Sequence, residues 1–374
     1  MKTAYLISCS DHYKHRMFAI DAALQAKGYT TTYITSDFDH SSKSVFQCGV
    51  PGSVQIHAKP YSKNLSLNRI LSHYLFARDV FRYLDHLPQQ PDVVVALIPP
   101  NFLAFFGKQY KKKHPNVTLV FDIFDMWPET FPSNRAKKLL APAFGVWAWI
   151  RDGSLRAADY VTTECEMFRK LLGLSDDASE TVYLCAEPVA EQVTTNLSQE
   201  ELNLCYLGAI NNIIDIDAIC ALIEKLAKCK PVKLHIVGTG ERHQEFVEKA
   251  QAAGAQTVFY GAVYEDAKKQ EIMAQCHFGL NIMKPSVCVG LTMKSVDYFR
   301  NGLPIINSIP GDTKEFVESE YTGIQLDGGC AEKVLSCSAE DCLRMRENVR
   351  QMFLSKFSKE VVVGQYHMLL QKLL

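Results

Sequence analysis

The sequence predicts an α/β protein of two tandem Rossmann-like domains, each a parallel sheet covered by helices. Three observations predict it. Short β-rich runs alternate with helical runs along the chain, the pattern that builds parallel sheets with right-handed crossovers. Runs such as residues 92–98 (DVVVALI) and 117–123 (VTLVFDI) are apolar without alternation, as strands buried on both faces are. The alternation lapses over residues 186–201 (AEPVAEQVTTNLSQEE) and then restarts, which at 374 residues fits two cores better than one.

In the first half, residues 5–9 read as a strand, 15–27 as a helix and 29–35 as the next strand. Strands at 92–98 and 117–123 bracket a helix at 102–113, and 160–163 and 181–184 read as later strands. In the second half, strands at 204–207, 233–237, 257–260, 279–282 and 304–307 alternate with helices, notably 216–228, 242–253 and 293–301. Residues 358–374 read as a closing helix whose Val361, Val362, Tyr366, Leu369, Leu370 and Leu373 form one apolar stripe. The expected domains are therefore 1–190, 191–356 and a terminal helix at 357–374.

Hydrophobic residues make up 47% of the chain and charged residues 22%, a globular composition. A net charge of −1 argues against a broadly basic nucleic-acid binder. The opening MKTAYLISCSDHYK has too short an apolar run for a signal peptide. The richest apolar run, at 139–150, is interrupted by Pro142 and Gly145 and is too short to span a bilayer. These features predict a cytoplasmic protein. The twelve cysteines show no CxxC or zinc spacing, so reduced, mostly buried thiols and no metal are expected.

Two segments of the second half carry the strongest chemical signal. LHIVGTGERHQEF (234–246) reads as a buried strand, a turn with Gly238 and Gly240, then a helix. Glycines there let backbone approach a ligand, and the helix start favours phosphate. His243 stands where a dinucleotide fingerprint needs its third glycine, so a plain tight turn is the alternative. In VCVGLTMKSVDYFRNGLPIINS (287–308), Gly290, Leu291 and Thr292 precede a helix on which Lys294 and Asp297 share a face. Its first amides with Lys294 suit a diphosphate, and Asp297 suits ribose hydroxyls; the alternative is an ordinary amphipathic helix with an exposed Lys and Asp. Asn301-Gly302 reads as the helix stop.

From 204 to 326 the ordered pieces YLGAI (206–210), HIVGTGE (235–241), VFYGAV (258–263), GLTMKSVDYFRNGLPII (290–306) and EFVESEYTGIQL (315–326) resemble the retaining group 1 (family 4) glycosyltransferases of GT-B fold. The resemblance covers about a third of the chain. It implies two Rossmann-like domains with parallel sheets facing a central cleft, and a C-terminal helix crossing back to the N-terminal domain. It implies a donor-nucleotide site at Gly208, Asn211, Asn212, Gly238, Gly240, Tyr260, Gly290, Leu291, Thr292, Lys294 and Asp297. Lys294 would bind the diphosphate and Asp297, where relatives usually have Glu, the ribose. The donor would be a nucleotide sugar acting as substrate, UDP being the base the family favours, with no cofactor and no metal. The acceptor would be a saccharide or lipid-linked saccharide, in bacterial capsule, exopolysaccharide or glycoconjugate synthesis.

The chain departs from the family pattern in places. Val289 replaces the first of two glutamates, and Ala209, Asn211 and Asn212 occupy the place of a basic pair. Phe124 replaces a histidine in FDIFDMWPETF (121–131), which is similar to a D-x-WPE signature of a sub-group. There Asp125 is a catalytic candidate, contacting the reacting sugar or acceptor, or simply capping the turn with Glu129. The polar loop with Asp11, His12, Lys14 and His15 is the candidate acceptor-side loop, its alternative a solvated loop with an N-cap.

Lys111 to Lys113, Arg135, Lys137 and Lys138, with Trp147, Trp149 and Arg151, offer peripheral contact with anionic lipid at the inner face of the cell membrane. The alternative is a solvated basic face with core tryptophans. Two rival functions stay open: a non-catalytic GT-B partner of an active transferase, which the Val289 and Phe124 departures fit, and a nucleotide-sugar epimerase or hydrolase using carboxylates among Asp11, Asp122, Asp125 and Glu129.

Overall fold

The computed structural model describes residues 2–10, 14–40, 42–63, 66–131, 138–189, 195, 197–198 and 200–374. The chain divides into two compact units, Met1–Cys185 with Glu360–Leu374, and Ala186–Lys359.

The first unit is a seven-stranded parallel sheet in the order β5-β2-β1-β6-β7-β8-β9. Its strands are β1 (Lys2–Ile7), β2 (Tyr29–Ser36), β5 (Val54–Ile56), β6 (Val93–Ile98), β7 (Thr118–Ile123), β8 (Tyr160–Thr163) and β9 (Ser179–Thr181), and a small antiparallel pair, β3 (Phe38–Asp39) and β4 (Ser44–Val45), lies between β2 and β5 in sequence. Its helices are α1 (Lys14–Gln25), α2 (Leu67–Asp85), α3 (Asn101–Lys113), α4 (Ala141–Leu155) and α5 (Glu166–Leu171). Every residue of β6 is buried, as its unbroken apolar run requires.

Sequence and structure differ at two informative places here. The strand expected at 181–184 ends at Thr181, because Arg16 Nη1 donates to the carbonyls of Val182 and Tyr183 at 2.7 and 3.3 Å and takes acceptors a ladder would use. α4 forms across the apolar run that Pro142 seemed to break. Proline lies in the first helical turn, where its missing N–H costs nothing.

The second unit is a six-stranded parallel sheet in the order β12-β11-β10-β13-β14-β15. The strands are β10 (Leu202–Leu207), β11 (Val232–Val237), β12 (Ala255–Gly261), β13 (Phe278–Asn281), β14 (Ile305–Asn307) and β15 (Gly323–Gln325). The helices are α6 (Ile216–Ala227), α7 (His243–Ala252), α8 (Asp266–Ala274), α9 (Met293–Arg300), α10 (Asp312–Ser319), α11 (Cys330–Ser336) and α12 (Ala339–Lys356). In each sheet the strand order reverses direction beside the first strand, β1 or β10. That switch point is where open α/β sheets bind ligands, at the carboxyl ends of the strands.

The last helix, α13 (Lys359–Leu373), returns to the first unit. Its Val362, Tyr366, Leu369 and Leu370 are buried in the same core cluster as Ile20, Leu24 and Val95, each such side chain contributing about 1.5–3 kcal/mol. Burial singles out these four of the six stripe positions; Val361 and Leu373 are only half-buried. Tyr366 also donates its hydroxyl to Asp122 at 2.7 Å. Asp122 is buried and accepts from Arg16 Nε at 2.6 Å and Thr162 Oγ1 at 2.7 Å as well. A buried carboxylate so satisfied is a structural tie, not a free acid or base.

Candidate functional site

At the switch point of the second unit, three strand ends are drawn together by backbone. Gly208 N–H donates to Val237 O at 2.8 Å, and Gly238 N–H to Gly261 O at 2.7 Å. Only glycine fits where the turns cross. Gly238 has φ +140°, and a Cβ there would lie 2.0 Å from Gly208 O; one at Gly240 would lie 2.2 Å from Ile210 O. The turn after β11 thus packs against the turn after β10, leaving no side chain between them.

Lys294 comes to the same place from the first turn of α9. Thr292 is the N-cap, its Oγ1 accepting from Ser295 N–H at 3.0 Å. The chain before it is held by Thr313, whose N–H and Oγ1 both donate to Gly290 O, at 2.9 and 2.6 Å. With the cap fixed, the lysine stem runs against Gly208, where a Cβ would meet Cε at 3.4 Å. Its ammonium sits 4.4 Å from the centroid of the Tyr206 ring, a cation–π contact. Among the described residues Nζ is buried with no hydrogen-bond partner. Burial lowers its pKa to about 7. The amine lies at the start of a helix, whose first amides lack intrahelical partners and carry the positive end of its dipole.

Asp297 follows one turn later on α9, half-buried, and burial raises its pKa against the pull of Lys269 and Arg300. Leu291 is buried, and Gly290 with it. Asn211 Oδ1 accepts from Ile213 N–H at 3.1 Å, and Asn212 Nδ2 donates to Glu241 at 2.5 Å. Both amides therefore have partners within the loops they join. The Tyr260 hydroxyl is hydrogen-bonded to His235 Nδ1 at 2.9 Å. Phe259, an exposed ring, is stacked on His243 at 5.5 Å, with His243 Nδ1 3.1 Å from Gly240 O. Sequence reasoning missed Tyr206 and Phe259 as site residues, although both lie inside quoted motifs.

The first unit holds a cavity of about 600 Å³ at the carboxyl ends of β1, β2, β6 and β7. Rings of Phe38, Tyr61, Phe76, Trp127 and Phe131 line it, with Arg69, His73 and Asp125 among the polar groups. Arg69 lies over the Trp127 ring at 5.2 Å. His73 is held neutral, its pKa lowered to about 3 by burial and by the nearby Arg69 and His40. Its Nδ1 is buried without a partner among the described residues. Asp125 is raised to about 6 by burial, against hydrogen bonds from Thr130 Oγ1 at 2.7 Å and the Met126 amide. Asp125, bonded in this way to Thr130, is also among the residues that line the cavity. Phe124 lines it too.

Other candidates lie elsewhere. Glu129 is held by Arg151 through two bonds of 2.9 and 3.0 Å, and Arg151 is wholly buried, which removes it from any lipid-facing set. Lys14 and His15 are exposed at the start of α1 and do not line the cavity. Asp11, His12, Arg135 and Lys137 lie outside the described residues.

The two parallel sheets and the returning helix are the GT-B fold, and solved structures agree with this over the whole chain. The lipopolysaccharide outer core galactosyltransferase WaaB, in its apo form, superposes with a TM-score of 0.69 at 13% identity, 100% of each chain covered. HepE of Anabaena, in complex with UDP and glucose, gives 0.66 at 13% identity with 100% of each covered. TarM of S. aureus, in a complex that includes UDP, gives 0.61 at 10% identity with 99% of each covered. At such identities the likeness concerns the fold alone. Residues 201–339 match the family described as Glycosyl transferases group 1. The second unit therefore carries the stretch that matches the group 1 glycosyltransferases. A search of curated protein sequences finds no match.

Proposed function

We propose that the protein transfers a sugar, with retention at the anomeric carbon, from a UDP-sugar bound by the second unit to a saccharide or lipid-linked saccharide bound by the first. The buried Lys294 ammonium at the Gly208–Gly238 turns, without a hydrogen-bond partner among the described residues, carries this reading. As the bond to the anomeric carbon breaks, negative charge grows on the leaving diphosphate. Lys294 and the first amides of α9 would be in place before that charge develops, and such preorganised stabilisation is usually the largest catalytic contribution. Asp297 would accept hydrogen bonds from the ribose. The UDP and UDP-glucose complexes of HepE support a uridine nucleotide. Bacterial surface glycoconjugate synthesis is the biological setting we infer.

The cavity of the first unit is the acceptor site in this reading. Its aromatic wall suits sugar rings, and Asp125 would hydrogen-bond a hydroxyl of the reacting sugar or acceptor. The test is UDP release and glycoside formation over a panel of UDP-sugars and saccharide acceptors. Turnover by the wild type and none by Lys294→Met supports the proposal. Equal turnover by both would overturn the role of Lys294, and absence of nucleotide binding would favour a non-catalytic partner.

A further inference from the structure

Two cysteines meet at the start of α12. Ser338 is the N-cap of that helix: its Oγ accepts from the Asp341 amide at 3.0 Å, and the Asp341 carboxylate accepts from the Ser338 amide at 3.2 Å. In such a reciprocal cap, the residue before the N-cap and the fourth residue of the helix lie side by side, usually as two apolar side chains. Here they are Cys337 and Cys342, with their Sγ atoms 3.5 Å apart. The cap itself therefore holds the two thiols together.

The surroundings decide what the pair can do. His277 lines the same small pocket as both cysteines, but both nitrogens of its ring are engaged. Nδ1 accepts from the Asn203 amide at 3.0 Å, and Nε2 donates to Ser198 O at 3.1 Å. The ring has no lone pair left for a metal, and the two sulfurs are left to each other. Cys342 is only 2% exposed. Cys337 is half-buried and also lines a groove of about 380 Å³ beside β15, with Tyr321, Lys333 and Asp341. One thiol is thus reachable from solvent and its partner sits behind it. The hydrogen bond from Cys337 lowers the pKa of Cys342 against the effect of burial, with help from Arg346, and the donating Cys337 thiol is raised. When the pair loses one proton, the two sulfurs share the other. Cys205 and Cys276 also meet, but each is wholly buried, out of reach of a reagent.

We propose that Cys337 and Cys342 form a reversible dithiol–disulfide site whose co-substrate is a low-molecular-weight disulfide. The groove admits the reagent to Cys337. The Cys337 thiolate attacks one sulfur of the reagent, forming a mixed disulfide and expelling the other half as a thiolate. The Cys342 thiolate then attacks Cys337 Sγ, forming the Cys337–Cys342 bond and expelling the second thiolate. The two cysteine protons end on the two released thiols, so the protein loses two electrons and the reagent gains them. The new bond locks the start of α12. Arg346, one turn further on, donates to Gly302 O and Met273 O at 3.4 and 2.7 Å, so the locked helix also braces the ends of α9 and α8. None of this depends on the transfer reaction.

The test is equilibration of the full chain with oxidised and reduced glutathione at pH 8, followed by acid quenching and mass analysis after trypsin. Both cysteines fall in one tryptic peptide, residues 334–344 (VLSCSAEDCLR). The bond therefore shows as a peptide lighter by two hydrogens that iodoacetamide labels only after dithiothreitol. The folded chain should hold the bond at a level of oxidised glutathione at least about tenfold lower than the chain in urea needs, because the cap keeps the sulfurs together. Cys342→Ala should stop at the mixed disulfide on Cys337, and Cys337→Ser should leave Cys342 unmodified. If Cys342→Ala misfolds, Cys342→Ser replaces it. Two free thiols in the folded chain at every glutathione ratio, a mixed disulfide as the wild-type end product, or a bond formed as readily in urea would each overturn the proposal.

Discussion

The ammonium of Lys294 rests 4.4 Å from the centroid of the Tyr206 ring, buried and with no hydrogen-bond acceptor among the described residues. An aromatic face is a weak substitute for the hydration a lysine gives up, so the free protein holds this group in a destabilised state. Lys294→Met keeps the stem and removes the charge. It should melt at the same or a higher temperature, and should bind UDP about ten- to hundredfold more weakly, the worth of one or two charge-assisted hydrogen bonds. Thermal melting and calorimetry on the same sample separate the two effects.

The pH dependence has a definite sign. Because the folded pKa of Lys294 is lowered to about 7, the lysine penalises the fold at neutral pH, and the penalty shrinks as pH rises toward the unfolded value near 10.4. A bound diphosphate raises the pKa again. UDP binding at pH 8 to 9 should therefore take up as much as about one proton, and affinity should fall across that range. Titrations in buffers of different ionisation heat measure the uptake, which Lys294→Met should abolish.

Gly238→Ala tests the crossing of the turns. Its Cβ would stand 2.0 Å from Gly208 O at a φ of +140°, so backbone must move. A loss of about 2 kcal/mol or more in urea denaturation is expected, together with loss of UDP binding.

Asp125 has a raised folded pKa of about 6. Its carboxyl thus contributes stability that is full below the unfolded value near 3.9 and lost as pH rises through 6. Asp125→Asn should be more stable than wild type at pH 8, on the order of 1–3 kcal/mol, with the gap closing toward pH 4. Its kcat should fall while the KM for the donor stays put. A wild-type kcat would leave Asp125 only its bond to Thr130.

Tyr366→Phe removes one of three donors to Asp122. A loss of about 1–2 kcal/mol is expected, read by chemical denaturation, with UDP affinity unchanged.

Much of the fold was legible because parallel strands buried on both faces have one sequence form. Residues 93–98 could hardly be anything else, and the ends of α9 were marked by Thr292 and by Asn301-Gly302. Helix α2 was missed, although Ser66 caps it by accepting from Arg69 N–H at 3.2 Å and Phe76, Ala77, Val80, Phe81 and Leu84 form its buried face. Lys294 was legible from its place before an amphipathic helix; its seat on Tyr206 was not, since residues 88 positions apart in sequence meet only in the folded sheet. The cavity was hidden for the same reason. Arg69, Asp125 and Cys9 come from three separated segments. Glu129 and Asp122 looked like free carboxylates because their partners, Arg151, Arg16 and Tyr366, are distant in sequence.

The most direct test of donor binding at Lys294 is calorimetric titration of wild type and Lys294→Met with UDP, and with GDP as comparison. The account predicts selective UDP binding by the wild type that the substitution weakens at least about tenfold. Equal UDP affinity in the two proteins, or no binding to the wild type, would contradict it.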